Sequence, residues 1–325
     1  MRNNKINNID LFTNHANEIF KQHIKTQSKQ ALEVIKNSID WESLLKPIES
    51  ILIQERSSAP TGRKPFSLLV IVRCFLLQSI YGLSDPRLEE EIADRRSFQI
   101  FLELNSGDSI PDETTICRYR TLFAKHNLDK VLFDSFNKQL IRKDMILEKV
   151  TLVDATIKQA QAKPGKKREQ EATFTKKRGK TYYGYKGHIG LDHGTGVIRS
   201  VEFTPANVHD SDKFEQLISG NESSVYADKG YASKKRKESL ESKGIFCGIL
   251  EKGYRSHPLT RCQIAINKQL SRIRNNVERP FSYMTRVLGY DRCSYYGLAR
   301  NRFEFNLKAT IYNIRRFLTL SACIS

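Results

Sequence analysis

Three carboxylates in this chain fall where acids can be brought together. Asp154 closes the β-rich run Val150-Thr-Leu-Val-Asp154, Asp228 follows another within Val225-Tyr-Ala-Asp-Lys-Gly-Tyr231, and Glu278 lies in a long helical stretch. In an α/β sheet ligands bind at the carboxyl ends of strands, so two acids there and a third from a neighbouring helix can converge. Converging carboxylates repel one another unless a cation lies between them, and an all-oxygen donor set suits Mg²⁺ or Mn²⁺. Two such ions about 4 Å apart can activate a water or hydroxyl and stabilise the leaving oxygen in phosphodiester cleavage. Taken singly, each acid has a plainer explanation: an Asp in a turn after a strand, or a surface Glu. Glu278 also has Arg274 one helical turn before it for a simple salt pair. Their joint placement is what points to a metal site.

The elements that must position these acids begin near Lys149. Strand composition marks 150–154, 182–191, 197–203, 224–227 and 245–250, with the turn Asp192-His-Gly-Thr-Gly196 between the second and third. Helices are predicted over 212–219 and 233–243. Ile266, Leu270, Ile273, Val277, Phe281, Met284 and Leu288 form one helical stripe over 263–288, kinked at Pro280. The order β-β-β-α-β-α-β-α predicts an α/β fold, a mixed sheet of the ribonuclease-H-like kind. Between Asp154 and Tyr182 the sequence is Lys-rich and aperiodic, which predicts a mobile loop against a polyanion backbone.

Residues 1–148 read as an all-helical region. The apolar run 66–81 ends at Gly82 like a buried core helix; the next helix is expected to have Asp85 as its N-cap and Pro86 at its first position, and Pro111-Asp-Glu-Thr-Thr115 marks another start. The last is followed by Arg118 and Arg120, as in a helix that contacts phosphates or bases, or in one that is merely solvated. The expected division is therefore a helical part, 1–148, and an α/β part with a C-terminal helix, 149–325.

The chain has 325 residues, 54 Lys plus Arg against 36 Asp plus Glu, and a net charge of +18, which points to a polyanion partner. Ten basic residues against Glu169 and Glu171 fill 158–186, including Lys166, Lys167, Arg168 and Arg178, and eight, Arg255 among them, face Glu278 alone over 252–286. Neither stretch sets a basic helix face opposite an aromatic one, so nucleic acid fits better than a membrane surface. No segment has the apolar length to span a bilayer, and the first ten residues lack the apolar core of a secretory signal, so a cytoplasmic protein is expected. The six cysteines, without a CxxC pair, read as reduced core residues. There is no Walker loop and no GxSxG.

Weaker candidates surround the acids. His188 alternates with Lys186 on a strand and either faces the site or is a hydrogen-bonded structural histidine. His209-Asp210 either orients the site or caps a helix. Tyr231 either stacks on a flipped or unpaired base or packs against its own helix.

Eight landmarks occur in order: Gly62-Arg-Lys-Pro-Phe66, Leu83-Ser-Asp-Pro86, Ile110-Pro-Asp-Glu-Thr-Thr115, Val153-Asp-Ala-Thr156, Tyr185-Lys-Gly-His188, Ala206-Asn-Val-His-Asp210, Ala227-Asp-Lys-Gly-Tyr231 and Arg274-Asn-Asn-Val-Glu-Arg-Pro-Phe281. Together, over about residues 60–315, they resemble insertion-sequence-five-type (InsH-like) DDE transposases. The resemblance implies metal-binding catalytic roles for Asp154, Asp228 and Glu278, with Mg²⁺ or Mn²⁺ as cofactor. It implies an N-terminal region that binds terminal inverted repeats, cleavage and strand transfer on double-stranded DNA, and a homodimer that joins two ends in a prokaryotic nucleoid. Arg274, Arg279, Arg286, Lys186, Lys229 and Arg118 are the expected DNA contacts, with His188 and Tyr231 auxiliary. One departure stands out: the family usually carries lysine seven residues after the glutamate, where this chain has Thr285 beside Arg286. Either Arg286 substitutes or activity is reduced. The alternatives are a nuclease of the same fold that only hydrolyses DNA, and a decayed copy that binds inverted repeats without cutting.

Overall fold

Helices fill the first part of the chain and a six-stranded mixed sheet the second in the computed structural model, which describes residues 27–56, 65–105, 107–165, 169–177, 179–254 and 257–324. Lys166, Lys167, Arg168, Arg178 and Arg255, with Gly62, Arg63 and Lys64 of the first landmark, lie outside the described residues. The chain divides into residues 1–135 and 136–325. The first unit holds α1 (Gln27–Ser38), α2 (Trp41–Arg56), α3 (Leu68–Tyr81), α4 (Asp85–Asp94), α5 (Arg96–Leu102) and α6 (Glu113–Lys125). The division falls within α7 (Leu128–Arg142), ahead of the change of sequence character at Lys149.

Helix α3 is the buried apolar helix that the sequence predicts, and Gly82 ends it in the left-handed conformation at φ 64°, its N–H donating to Gln78 O. Arg73, which interrupts the apolar run, is buried: its guanidinium donates to Phe101 O at 2.9 Å, pairs with Glu103 at 3.2 Å and covers the Trp41 ring. The N-cap of α4 is Ser84 rather than the expected Asp85: its hydroxyl accepts from the Arg87 N–H, and Asp85 and Pro86 fall one residue later, inside the first turn. Asp112 caps α6, accepting from the Thr115 N–H at 2.6 Å. Among the described residues no single helix is long and apolar enough to cross a membrane.

The second unit is built from β1 (Val150–Gln159), β2 (Thr173–Lys177), β3 (Lys180–Asp192), β4 (Ile198–Pro205), α8 (Phe214–Leu217), β5 (Ser224–Ala227), α9 (Lys234–Ser242), β6 (Phe246–Ile249), α10 (Arg261–Arg274), α11 (Glu278–Arg286) and α12 (Leu298–Ile324). The strands run β2-β3-β1-β5-β6, with β4 also on β3. β2, β3 and β4 form antiparallel pairs, β3 lies antiparallel to β1, and β5 and β6 are parallel to it, which is the ribonuclease-H-like arrangement.

Five further expectations are corrected. β1 does not stop at Asp154 but continues to Gln159, because β3 is 13 residues long and pairs with it along the whole extension. The aperiodic stretch after it contains β2, and its two acids are anchored: Glu169 accepts from Gly297 N, and Glu171 accepts from Leu298 N at 2.8 Å, at the start of α12. The helix expected over 212–219 is a 3-10 turn, Asp210–Lys213, followed by the single α-turn α8. The long stripe is two helices, separated by a 3-10 turn at Asn275–Val277; Pro280 sits in the first turn of α11, where a missing N–H costs nothing. Of the six cysteines, all free, Cys74 and Cys293 are buried while Cys262 and Cys323 are exposed, so the core reading holds for only part of the set.

Close packing places α12 directly on the sheet. A Cβ on Gly187 would lie 2.3 Å from the Phe305 ring, so only glycine lets that aromatic seat against β3.

Candidate active site

The parallel pairing of β1 with β5 ends at Val153 and Ala227. Asp154 and Asp228 are the next residues on each strand, so the two carboxylates emerge side by side where the strands part. There β1 continues in its pairing with β3, whereas β5 stops and Asp228 turns out of the sheet as the N-cap of a short 3-10 turn, accepting from the Lys229 N–H at 2.8 Å. Asp154 accepts from the Ala155 N–H at 2.9 Å. Neither bond neutralises a carboxylate.

Arg274, last residue of α10, brings in the third acid. One guanidinium nitrogen stands 3.7 Å from Asp154 Oδ2 and the other 3.3 Å from Glu278 Oε1. The 3-10 turn between α10 and α11 carries Glu278 one step round from Arg274, so a single guanidinium faces both acids. Arg274, an expected DNA contact, is thus engaged within the acidic group. The Asp154 side chain is 20% exposed and that of Glu278 64%. Burial pushes the Asp154 carboxyl up to about 6, against the opposing pull of Arg274, the Ala155 amide and Lys177, and Asp228 adds to the rise. A carboxylate held so high beside a second one is under-neutralised. The donors are all oxygen, as a hard divalent cation requires, and the residues present fit such an ion. Among the described residues no three ligands are already gathered at coordinating distance.

Strand register separates the other candidates from the acids. In the β1–β3 pairing Asp154 stands opposite Ile189, while His188 faces Ala155 and Lys186 faces Ile157. Partners across an antiparallel pair share a face and neighbours alternate, so His188 and Lys186 project from the side of the sheet away from Asp154. His188 is fully buried, bonded to Thr204 Oγ1 at 2.9 Å, and burial pushes it down to about 4, so it is a neutral structural histidine. Lys186 is buried and turned inward, donating to Val208 O at 2.8 Å and pairing with Asp210 at 2.9 Å, which removes it from the surface expected of a DNA contact. Tyr231 lies in the core with Val153, Phe214 and Ala227 and is no stacking platform; burial pushes its phenol up, reinforced by Asp210, Asp154 and Asp228. His209 caps the 3-10 turn, accepting from Ser211 N, in place of the capping role expected of Asp210.

The remaining expected DNA contacts are exposed. Lys229 follows Asp228 directly, Arg279 follows Glu278, Arg286 is at the end of α11, and Arg118 lies on α6, where its neighbour Arg120 is instead buried against Asp85. Two residues near the acids were not singled out by sequence. Lys177, at the end of β2, is near enough to lower the Asp154 carboxyl, and Lys158 lies on the Asp154 face of β1. In the sequence both are only members of a basic run.

A family model described as transposase DDE domain matches residues 146–314, and one described as transposase domain (DUF772) matches residues 19–122. Among solved structures, the chain is similar to a piggyBac transposase synaptic complex with hairpin DNA, at 9% identity and a TM-score of 0.43, over 90% of this chain and 76% of that one. It is also similar to a pre-cleavage Mos1 transpososome, at 12% identity and a TM-score of 0.22, over 95% of this chain and 96% of that one.

Proposed function

The chain belongs to the DDE transposase family, and on that premise we propose that Asp154, Asp228 and Glu278 are the residues that hold its divalent cations. It is a DNA transposase, an enzyme of strand cleavage and transfer. The observation that carries the residue assignment is the end of the parallel register at Val153 and Ala227, which sets two carboxylates side by side with one of them pushed up to about 6.

Divalent cations, with Mg²⁺ the expected species and Mn²⁺ an alternative, would supply Lewis-acid activation of the attacking oxygen and stabilise the leaving oxygen. The protein's part is positioning. β1 and β5 hold Asp154 and Asp228 on rigid strand ends, and α11 offers Glu278 from an exposed rim. Arg274 partly neutralises the acids before a cation arrives and is close enough to meet a phosphate afterwards. Exposed Lys229, Arg279 and Arg286 lie next to or on the same helix as these acids and are assigned to the DNA backbone, where each contact steepens the salt dependence of binding. Arg118 on the capped helix α6 is assigned to the terminal inverted repeats. Joining two element ends calls for two copies of the chain, so the working unit is proposed to be a homodimer, acting on the nucleoid of a prokaryotic cell.

The test is a cleavage and strand-transfer assay on DNA bearing the element's own terminal repeats, with Mg²⁺ or Mn²⁺, beside an Asp154→Ala, Asp228→Ala, Glu278→Ala triple variant. Joined products that need metal and vanish in the variant support the assignment; joined products from the variant overturn it.

A further inference from the structure

We propose that Lys158 is a positioning residue for the acidic group, a buried cationic tie between the strand that carries Asp154 and the helix that begins at Glu278. The inference rests on the assignment of Glu278 above and goes beyond it.

Lys158 lies four residues after Asp154 on β1, on the same face of the sheet, and is 2% exposed. A buried ammonium is costly unless its protons are received. Those of Lys158 are received at the far end of α11: it donates to Tyr290 O and to Thr285 Oγ1, the latter at 3.4 Å, and lies 4.5 Å from the centre of the Tyr290 ring. No carboxylate forms an ion pair with it among the described residues. Lys308 of α12 approaches the same segment, donating to Leu288 O at 3.1 Å and lying 5.2 Å from the Tyr290 ring. Two ammonium groups thus close on residues 285–290, where carbonyls at and beyond a helix C-terminus attract positive charge. Glu278 stands at the opposite end of this nine-residue helix, exposed, with Arg274 as its ion-pair partner. With its C-terminal end tied to β1, α11 has a fixed distance from Asp154, and so does Glu278.

A mainly stabilising role fits these groups poorly. Two like charges in one buried place repel, Glu304 opposes that repulsion without restoring either lysine to its ordinary pKa, and replacing buried charge by apolar bulk is commonly neutral or stabilising. Fixed geometry is what the arrangement supplies. It also gives Thr285 a partner, while Arg286 beside it is exposed.

Burial pushes Lys158 down to about 8, with Lys308 acting in the same direction and Asp291, Cys293 and Glu304 opposing. Lys308 is itself lowered by burial, and the Tyr290 phenol and the Cys293 thiol are raised, so the two lysines are the members of this cluster that lose charge on the alkaline side.

The experiment compares Lys158→Met, Lys158→Arg and Glu278→Gln in the full chain, by metal titration and pH profile of terminal-repeat cleavage, with thermal unfolding alongside. Lys158→Met is expected to unfold no earlier than the parent, to cut at least 10-fold more slowly at low metal, to need a higher metal concentration for half-maximal rate, and to lose the fall in rate above about pH 8. Lys158→Arg is expected to restore a part of the rate. A Met variant with the parent's metal dependence and pH profile overturns the inference, as does a loss that only follows the fraction folded. Full cleavage by Glu278→Gln would instead overturn the assignment of the third acid, so the two failures are distinguishable. Should Lys158→Met not fold, Thr285→Val removes one acceptor and is expected to raise the metal requirement 2- to 5-fold; an unchanged requirement overturns the tie.

Discussion

Replacing Asp154 by Asn should stabilise the metal-free protein while abolishing cleavage. The Asp154 carboxyl is held at about 6 rather than 3.8, chiefly by burial, and this net figure already contains the favourable contributions of Arg274 and the Ala155 amide. A rise of about 2 pH units corresponds to about 3 kcal/mol of destabilisation when the group is charged. For an acid whose pKa is raised by folding, the cost is absent below about pH 4, grows as pH rises through 6 and is constant above. Asn keeps the shape without the charge. In EDTA at pH 8 the Asn variant should therefore unfold later, by roughly 6–12 °C for a unit of this size when the full 3 kcal/mol is recovered, and the gain should vanish near pH 4. Excess Mg²⁺ should close the gap by raising the parent alone, since a ligand at 100 times its Kd contributes about 2.7 kcal/mol. Thermal unfolding of both proteins with EDTA and with Mg²⁺, at pH 4 and pH 8, checks this. An Asn variant less stable than the parent at pH 8 in EDTA would refute the reasoning, because Asp154 would then be a satisfied structural carboxylate.

Three further outcomes follow from the same geometry. Asp228→Asn should reduce cleavage at least 100-fold and leave the Kd for terminal-repeat DNA within about twofold, measured by gel shift beside the cleavage assay. Arg274→Gln removes the largest charge that holds the Asp154 carboxyl down, so the acid limb of the pH–rate profile should move to higher pH; an unmoved limb would separate Arg274 from Asp154. Thr285→Lys should not raise activity, because the new ammonium would enter beside Lys158, now 3.4 Å from Thr285 Oγ1, and like charges there should cost about 1–3 kcal/mol in thermal unfolding.

Much of the local structure could be read from residue order alone. The strand 224–227, the turn at 192–196 and the cap at Asp112 are local, set by β-branched runs, glycines and short polar side chains. What could not be read depended on partners far away in sequence. Asp154 looked like the end of a strand because acids disfavour strands, yet Val150-Thr-Leu-Val-Asp-Ala-Thr-Ile157 keeps its β-formers after the acid, and β3 is long enough to pair with them all. That missed extension concealed Lys158, which shares a face with Asp154 only if the strand continues. The stripe 266–288 was legible as helical, but its break was not: Asn275 and Asn276 tolerate a tighter turn, while Pro280, the more conspicuous breaker, sits harmlessly in a first turn.

Strand parity also decides what the nearby polar residues do. Sequence proximity gathers Asp154, Lys186, His188, Asp210 and Tyr231 into one imagined site, but a sheet assigns alternate residues to opposite faces. Lys186 and His188 therefore fall on the far side with Asp210, where an ion pair and a hydroxyl bond serve them, and Tyr231 joins the apolar core around Val153. The acid side of β1 retains Asp154, Thr156 and Lys158, of which the two charged members meet the two ends of the helix segment from Arg274 to Tyr290. One strand thus carries an acid that needs a cation and, four residues on, a lysine placed to hold the helix bearing the third acid. The far-side groups act on that strand only through its packing, so substitutions at His188 should change stability before they change the metal requirement.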